Sequence, residues 1–180
     1  MLAHDASVYM IVRDENDGIR DDVYLPHDKE ELCWKDQAIP ASQIPRLDQR
    51  CVAINELYKK RKPTAKKQIA IIVHIDSRST RERVDMFFYH NPKSKNGKAL
   101  AETMRNTIAA KYEQHQKGRG YKGSVKARDL HMLRKTTPTA VYLELGNINN
   151  SKDQKRFLQA DNRQAVAAWL AEGILKHYRE

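Results

Sequence analysis

Apolar residues fall along this chain in two periods. Continuous runs near Val8–Val12, Ile69–His74, Val84–Tyr89 and Val141–Leu145 are rich in β-branched, aromatic and aliphatic side chains, and they predict buried strands. Between them the spacing turns helical. Leu47, Cys51, Ile54 and Tyr58 mark one helix face, and Leu100, Met104, Ile108 and Tyr112 a second. Val166, Trp169, Leu170 and Ile174 mark a third. Pro63 closes the first helix and the second ends before Gly118, while Ser151-Lys152-Asp153-Gln154 has the form of a capping box and Asp161 is placed to cap the last helix. Strands alternating with helices predict an α/β fold, a doubly wound, mostly parallel sheet with helices on both faces. One segment breaks the alternation: residues 14–40 hold no period and carry aspartates, Pro26 and Pro40, the marks of an insertion.

Two of the predicted strands end on groups that do not suit a core. Ala140-Val141-Tyr142-Leu143 runs straight into Glu144 before Leu145 and Gly146, and Ile69-Ala70-Ile71-Ile72-Val73 runs into His74-Ile75-Asp76. An unpaired buried carboxylate costs several kcal/mol or shifts its pKa. Taken singly, Glu144 is readily explained by an arginine partner and His74 by a core position. Taken together they suggest one site, because open α/β sheets bind ligands beyond the carboxyl ends of their strands. A histidine beside a carboxylate there suits metal-assisted or acid–base hydrolysis. Asp76 has two readings, a group that orients a ligand from behind or a cap on the strand-end turn.

Length and composition narrow the class. A chain of 180 residues is one domain by size, and 40% hydrophobic residues give it enough to bury a core. No apolar stretch approaches the roughly 20 residues that span a bilayer, and the opening Met1-Leu2-Ala3-His4-Asp5 lacks the features of a secretory signal. Two cysteines, Cys33 and Cys51, are too few for a disulfide framework or a cysteine zinc site; one bridge and two reduced thiols both remain open. The net charge of +10 favours polyanions, yet its cations are spread along the chain, densest at Lys59-Lys60-Arg61-Lys62 and Lys66-Lys67 around Pro63. No nucleic-acid-binding motif accompanies them, so no specific nucleic acid is expected. The loop Gly118-Arg119-Gly120-Tyr121-Lys122-Gly123 follows no strand and lacks the phosphate-binding pattern. Among the other histidines, His90 and His131 are read as structural or surface residues, and His27, His115 and His177 sit in polar contexts without a signal.

An ordered set of segments is similar to a known family. Val8-Tyr9-Met10 running into Arg13, Arg50-Cys51-Val52-Ala53-Ile54-Asn55, Val73-His74-Ile75-Asp76, Arg119-Gly120-Tyr121-Lys122, Met132-Leu133-Arg134, Leu143-Glu144-Leu145-Gly146-Asn147-Ile148-Asn149-Asn150 and Ala171-Glu172-Gly173-Ile174 occur in the family's order. Together they resemble the zinc-dependent N-acetylmuramoyl-L-alanine amidases of bacterial cell walls over Val8 to Tyr178. The resemblance implies a twisted sheet of the zinc-amidase and exopeptidase type, and hydrolysis of the amide between N-acetylmuramic acid and L-alanine by zinc-activated water. His74 matches a zinc histidine and Glu144 the catalytic glutamate. Peptidoglycan or a muropeptide is the implied substrate, and the periplasm or cell envelope the implied compartment.

The family pattern also includes an earlier strand, a glycine-rich loop with a zinc histidine, and a helix with a glutamate ligand. None of these is legible here, and His4 stands where the pattern calls for neither ligand. The expectation is therefore an amino-terminally truncated amidase, 1–180 as one incomplete catalytic domain, with an exposed apolar sheet face or edge. Such a chain should bind zinc weakly and be inactive on muropeptides as it stands. Two rival functions are a catalytically incomplete module that binds cell-wall material and a basic nucleic-acid-binding protein.

Overall fold

A computed structural model describes residues 6–14, 30–77, 79 and 85–179. The elements run β1 (Val12–Arg13), β2 (Leu32–Cys33), β3 (Gln37–Ala38), α1 (Gln43–Arg61), β4 (Ile69–Asp76), β5 (Phe87–His90), α2 (Lys95–His115), β6 (Val125–Ala127), α3 (His131–Lys135), β7 (Thr139–Asn147), α4 (Ser151–Leu158) and α5 (Ala160–Arg179). The main sheet has the order β4-β7-β5-β6. β4 pairs with β7 in parallel and β5 with β6 in parallel, while β5 and β7 are antiparallel. The expected mostly parallel α/β sheet is present, with one antiparallel seam at its centre.

Alternation along the strands sorts side chains to two covered faces. Phe88, Val141 and Leu143, with Ile69 and Ile71, pack against Leu100, Met104, Ile108 and Tyr112 of α2 and against Val166 and Ile174 of α5. Gly173 of α5 lets the two helices close up, since a Cβ there would lie 2.9 Å from the Met104 Cα. The other face carries Ala70, Ile72, Ala140, Tyr142, Phe87 and Tyr89 under Ile54 of α1 and Leu133 of α3. Asn55 fastens α1 in place, donating to the Lys135 carbonyl at 2.9 Å and accepting from the Thr137 amide at 2.7 Å. His131 of α3 adds a 2.7 Å contact to Asp48. Strand β4 forms one edge of the sheet, and Val73 there is 55% exposed.

Several local expectations are corrected. The run at Val8–Val12 forms strand only at Val12–Arg13, and outside the main sheet. It joins a small antiparallel sheet with β2 and β3 because Tyr9 packs edge-on against Trp34, at 5.8 Å between centroids, under the Arg61 guanidinium. The segment 14–40, read as an insertion, contains a hairpin of β2 and β3. Its turn places Lys35 and Asp36 at φ of 63° and 59°, conformations that leave no glycine signature in the sequence. Residues 15–29 of that segment, Val84 at the start of the third expected strand, and His4 and His27 lie outside the described residues. Helix α4 is capped by Asn150, not by Ser151: the Asn150 Oδ1 accepts from the Lys152 and Asp153 amides at 3.0 and 3.1 Å. Asp161 likewise does not cap α5 but sits inside its first turn. Both cysteines are free and buried, with the Cys51 Sγ 3.4 Å from the Met132 sulfur.

Candidate active site

His74 and Glu144 are directly paired residues of β4 and β7. Parallel pairing in register sends both side chains to the same face, and the His74 Nδ1 lies 3.3 Å from the Glu144 Oε2. The two differ sharply in exposure: the His74 side chain is 57% accessible and that of Glu144 only 13%. The glutamate thus sits at the floor, with the imidazole as one wall and Phe87 opposite it on β5. Tyr142, two residues earlier on β7, packs against the His74 ring at 5.6 Å. The histidine and the carboxylate that stood out at two strand ends are brought into contact.

Burial pushes the Glu144 carboxyl above its ordinary value. The charge and hydrogen bond of His74 oppose that shift, Asp76 adds to it, and Arg128 opposes it. Burial also raises the Tyr142 phenol, to about 12, with the Glu144 charge contributing, so the hydroxyl beside the pair stays protonated at neutral pH.

The chain beyond Glu144 is held tightly. Arg156 of α4 donates through Nη1 to the Leu145 carbonyl and pairs at 3.3 Å with Asp153, whose carboxylate accepts from the Asn147 amide at 3.1 Å. Gly146 between them has φ of 156°, and a Cβ there would meet the Arg156 Nη1 at 2.6 Å. The Ile148 amide then donates to the Asp76 carbonyl at 2.9 Å, tying the ends of β4 and β7 together. Past those ends opens a polar cleft of about 580 Å³ lined by Ser79, Asn149, Asn150, Ser151 and Gln154. The same ion network reaches the glycine-rich loop, where Asp85 pairs with Arg119 and accepts from the Lys122 amide at 2.7 Å. That loop is a buckle on the start of β5.

A zinc ion held for hydrolysis needs about three protein donors with water in a fourth position. His74 offers one imidazole, its Nε2 free of any partner among the described residues. The described residues do not complete the set: among them, no three histidine, cysteine, aspartate or glutamate side chains converge. His90 is buried and turned to the Asn91 carbonyl at 2.9 Å, and His131 is taken by Asp48. The residues described therefore do not fit a complete zinc site.

The fold and this site define a class, an α/β domain with a mostly parallel sheet and a histidine–carboxylate pair near the carboxyl ends of neighbouring strands. Residues 20–176 match the sequence pattern of the N-acetylmuramoyl-L-alanine amidases. The chain belongs to that family, and its activity is that of the peptidoglycan amidases. Among solved structures it is similar in fold to the catalytic domain of CwlV from Bacillus (Paenibacillus) polymyxa var. colistinus, at TM-score 0.58 and 21% identity over 81% of this chain and 70% of that one. AmiC2 of Nostoc punctiforme gives TM-score 0.57 and 21% identity over 82% and 71%. The CwlD amidase of Clostridioides difficile, solved in complex with the GerS lipoprotein, gives TM-score 0.60 and 12% identity over 77% and 66%. No curated protein matches the chain significantly. Peptidoglycan as the family's substrate points to action outside the cytoplasm, and no helix among the described residues is long and apolar enough to cross a membrane.

Two residues near the site carried no signal as site residues in the sequence. Arg50 of α1 and Arg128, just past β6, both act electrostatically on Tyr142, and Arg128 also on Glu144. Each is one arginine among many in a basic chain, and only the packing of α1 and β6 on the sheet selects them.

Proposed function

We propose that this chain, supplied with zinc in excess, hydrolyses the amide between N-acetylmuramic acid and L-alanine, with Glu144 as general base and then general acid. The observation that carries the reading is the His74–Glu144 pair, 3.3 Å apart at one register position of the adjacent strands β4 and β7. A carboxylate so placed takes a proton from water as its oxygen bonds to the amide carbon. It returns that proton to the nitrogen as the carbon–nitrogen bond breaks, releasing a lactyl carboxylate and an L-alanyl amine. Desolvation suits the first half of the cycle, because a carboxyl whose pKa is raised by burial is a stronger base when ionised.

Zinc is the metal the family implies, and its role would be to polarise the carbonyl and acidify water. His74 is the donor we assign to it. The described donors fall short of a full set. The periplasm or cell envelope is the proposed compartment, following from the substrate.

The reading is tested by digesting a muropeptide in 18O-water with zinc in excess and identifying the products by mass spectrometry. One heavy oxygen in the muramic carboxyl and a free L-alanyl amine are expected. Cleavage at a glycosidic or peptide–peptide bond, or no cleavage at any zinc concentration, overturns it.

A further inference from the structure

The cleft of about 580 Å³ past the strand ends is lined by Ser79, Asn149, Asn150, Ser151 and Gln154. It continues directly from the two strands that carry the His74–Glu144 pair, with Ser79 following β4 and the other four residues following β7. The bond from the Ile148 amide to the Asp76 carbonyl, at 2.9 Å, holds those two strand ends together. Its volume falls in the range of clefts that seat a small ligand. The wall on the β7 side is held in place by its own hydrogen bonds. Asn147, fully buried, accepts from the Asn149 amide through Oδ1 and from the Asn150 amide through its carbonyl, both at 3.0 Å. The Gln154 Nε2 donates to the Ile148 carbonyl at 2.7 Å, which fixes the carboxamide and leaves its Oε1 as an acceptor.

The chemistry of this wall favours a neutral ligand. A helix N-terminus ordinarily invites an anion, and α4 begins at the cleft. Here, however, Asn150 already takes the Lys152 and Asp153 amides, at 3.0 and 3.1 Å, and the Asp153 carboxylate adds a negative charge to the first turn. The described lining is hydroxyl and carboxamide throughout, in a chain with 33 lysines and arginines. Such groups offer both donors and acceptors and carry no charge, so they match hydroxyl and acetamido groups and do nothing to neutralise a carboxylate. Because Asn150 caps α4, the Ser151 hydroxyl is not spent on the helix, and neither it nor the Ser79 hydroxyl has a hydrogen bond among the described residues.

We propose that this cleft is the sugar subsite, seating an uncharged N-acetylated pyranose on the carbonyl side of the scissile amide. This rests on the amidase reading and deepens it, because the two sides of that amide differ in chemistry. The carbonyl side carries a sugar with hydroxyl and acetamido groups, and the nitrogen side a peptide that ends in a carboxylate. The cleft suits the first. The Gln154 Oε1 accepts from the sugar and the two serine hydroxyls bond to its oxygens. The glycan therefore lies over the start of α4, and the peptide leaves the site away from it.

The test is titration of the full chain, followed by amide NMR in metal-free buffer so that no turnover is needed. The probe is the neutral disaccharide N-acetylglucosaminyl-N-acetylmuramic acid methylamide. Maltose serves as a sugar without acetamido groups, and L-alanyl-D-isoglutamine as the peptide. The disaccharide should shift the side-chain amide signals of Asn149 and Gln154, with a Kd on the order of 1 mM and about fivefold or more below that of either control. Ser151→Ala removes one neutral hydrogen bond and should weaken binding by about three- to tenfold. Asn150 caps α4, so that variant keeps the helix, and Ser79→Ala on the β4 side should weaken binding independently. No disaccharide binding up to about 20 mM, equal binding of maltose, or the peptide moving the same signals as strongly overturns the subsite. Unchanged affinity in both serine variants also overturns it. Shifts at the cleft without any muropeptide cleavage in excess zinc uphold the subsite and defeat the amidase reading. Cleavage with the cleft signals unmoved by the disaccharide does the reverse.

Discussion

The Arg156 guanidinium donates to the carbonyl of Leu145, the residue that follows Glu144. Arg156 is 6% exposed and Asp153, its partner, is fully buried. Removing one member of a buried pair strands the other's charge, a loss of about 3 kcal/mol or more. Arg156→Leu should therefore lower the free energy of urea unfolding by that amount at pH 7. A loss below about 1 kcal/mol would mean that the network is solvated and does not fix the end of β7.

Gly146 lies under the same guanidinium. Its φ of 156° and the 2.6 Å approach to Arg156 leave no room for a methyl group. Gly146→Ala should cost about 1–3 kcal/mol and move the strand end that carries Glu144. Thermal unfolding measures the first effect and muropeptide turnover the second; a variant equal to wild type in both would refute the packing described.

Much of this arrangement was readable in the sequence because it follows from local pattern. The apolar runs around His74 and Glu144 announced β4 and β7, and the polar residues at their ends announced the contact between His74 and Glu144. The helical spacing of Leu100 through Tyr112 and of Val166 through Ile174 gave α2 and α5. What was not readable depended on contacts distant in sequence. The strand Val125–Ala127 is three residues long with a lysine at its centre, so only pairing with β5 makes it a strand. Val8–Val12 has strand composition, but Tyr9 meets Trp34 and holds the segment away from the main sheet. The capping box failed because Asp153 turns inward to the Asn147 amide, leaving the cap to Asn150.

The Glu144 carboxyl offers a pH test on the metal-free protein. Its pKa is raised above 4.5, chiefly by desolvation. The folded state therefore holds its proton more tightly than the unfolded chain, and this group's contribution to stability falls as pH rises from the unfolded pKa through the folded one. Asp76→Asn, removing a like charge, should lower the Glu144 pKa, and His74→Ala, removing an opposing influence, should raise it. Carbon-13 NMR titration of the labelled carboxyl reads both. Shifts of the opposite sign would contradict the electrostatics of the pair.

Zinc content gives a further check. With one imidazole and a base as the donors described, the protein purified without added zinc should carry well under one equivalent and show no muropeptide turnover. Elemental analysis alongside the assay decides it. One tightly held equivalent, retained against a chelator, would mean that donors beyond those described complete the site.

The most direct test of the central claim is Glu144→Gln, which keeps the shape of the side chain and removes its ability to take up a proton. Muropeptide cleavage by the two proteins is compared with zinc in excess, with circular dichroism confirming that both are folded. Loss of a general base and acid should slow release of the L-alanyl peptide by about 100-fold or more, with the fold intact. A folded variant that releases product at a rate near wild type would contradict the account.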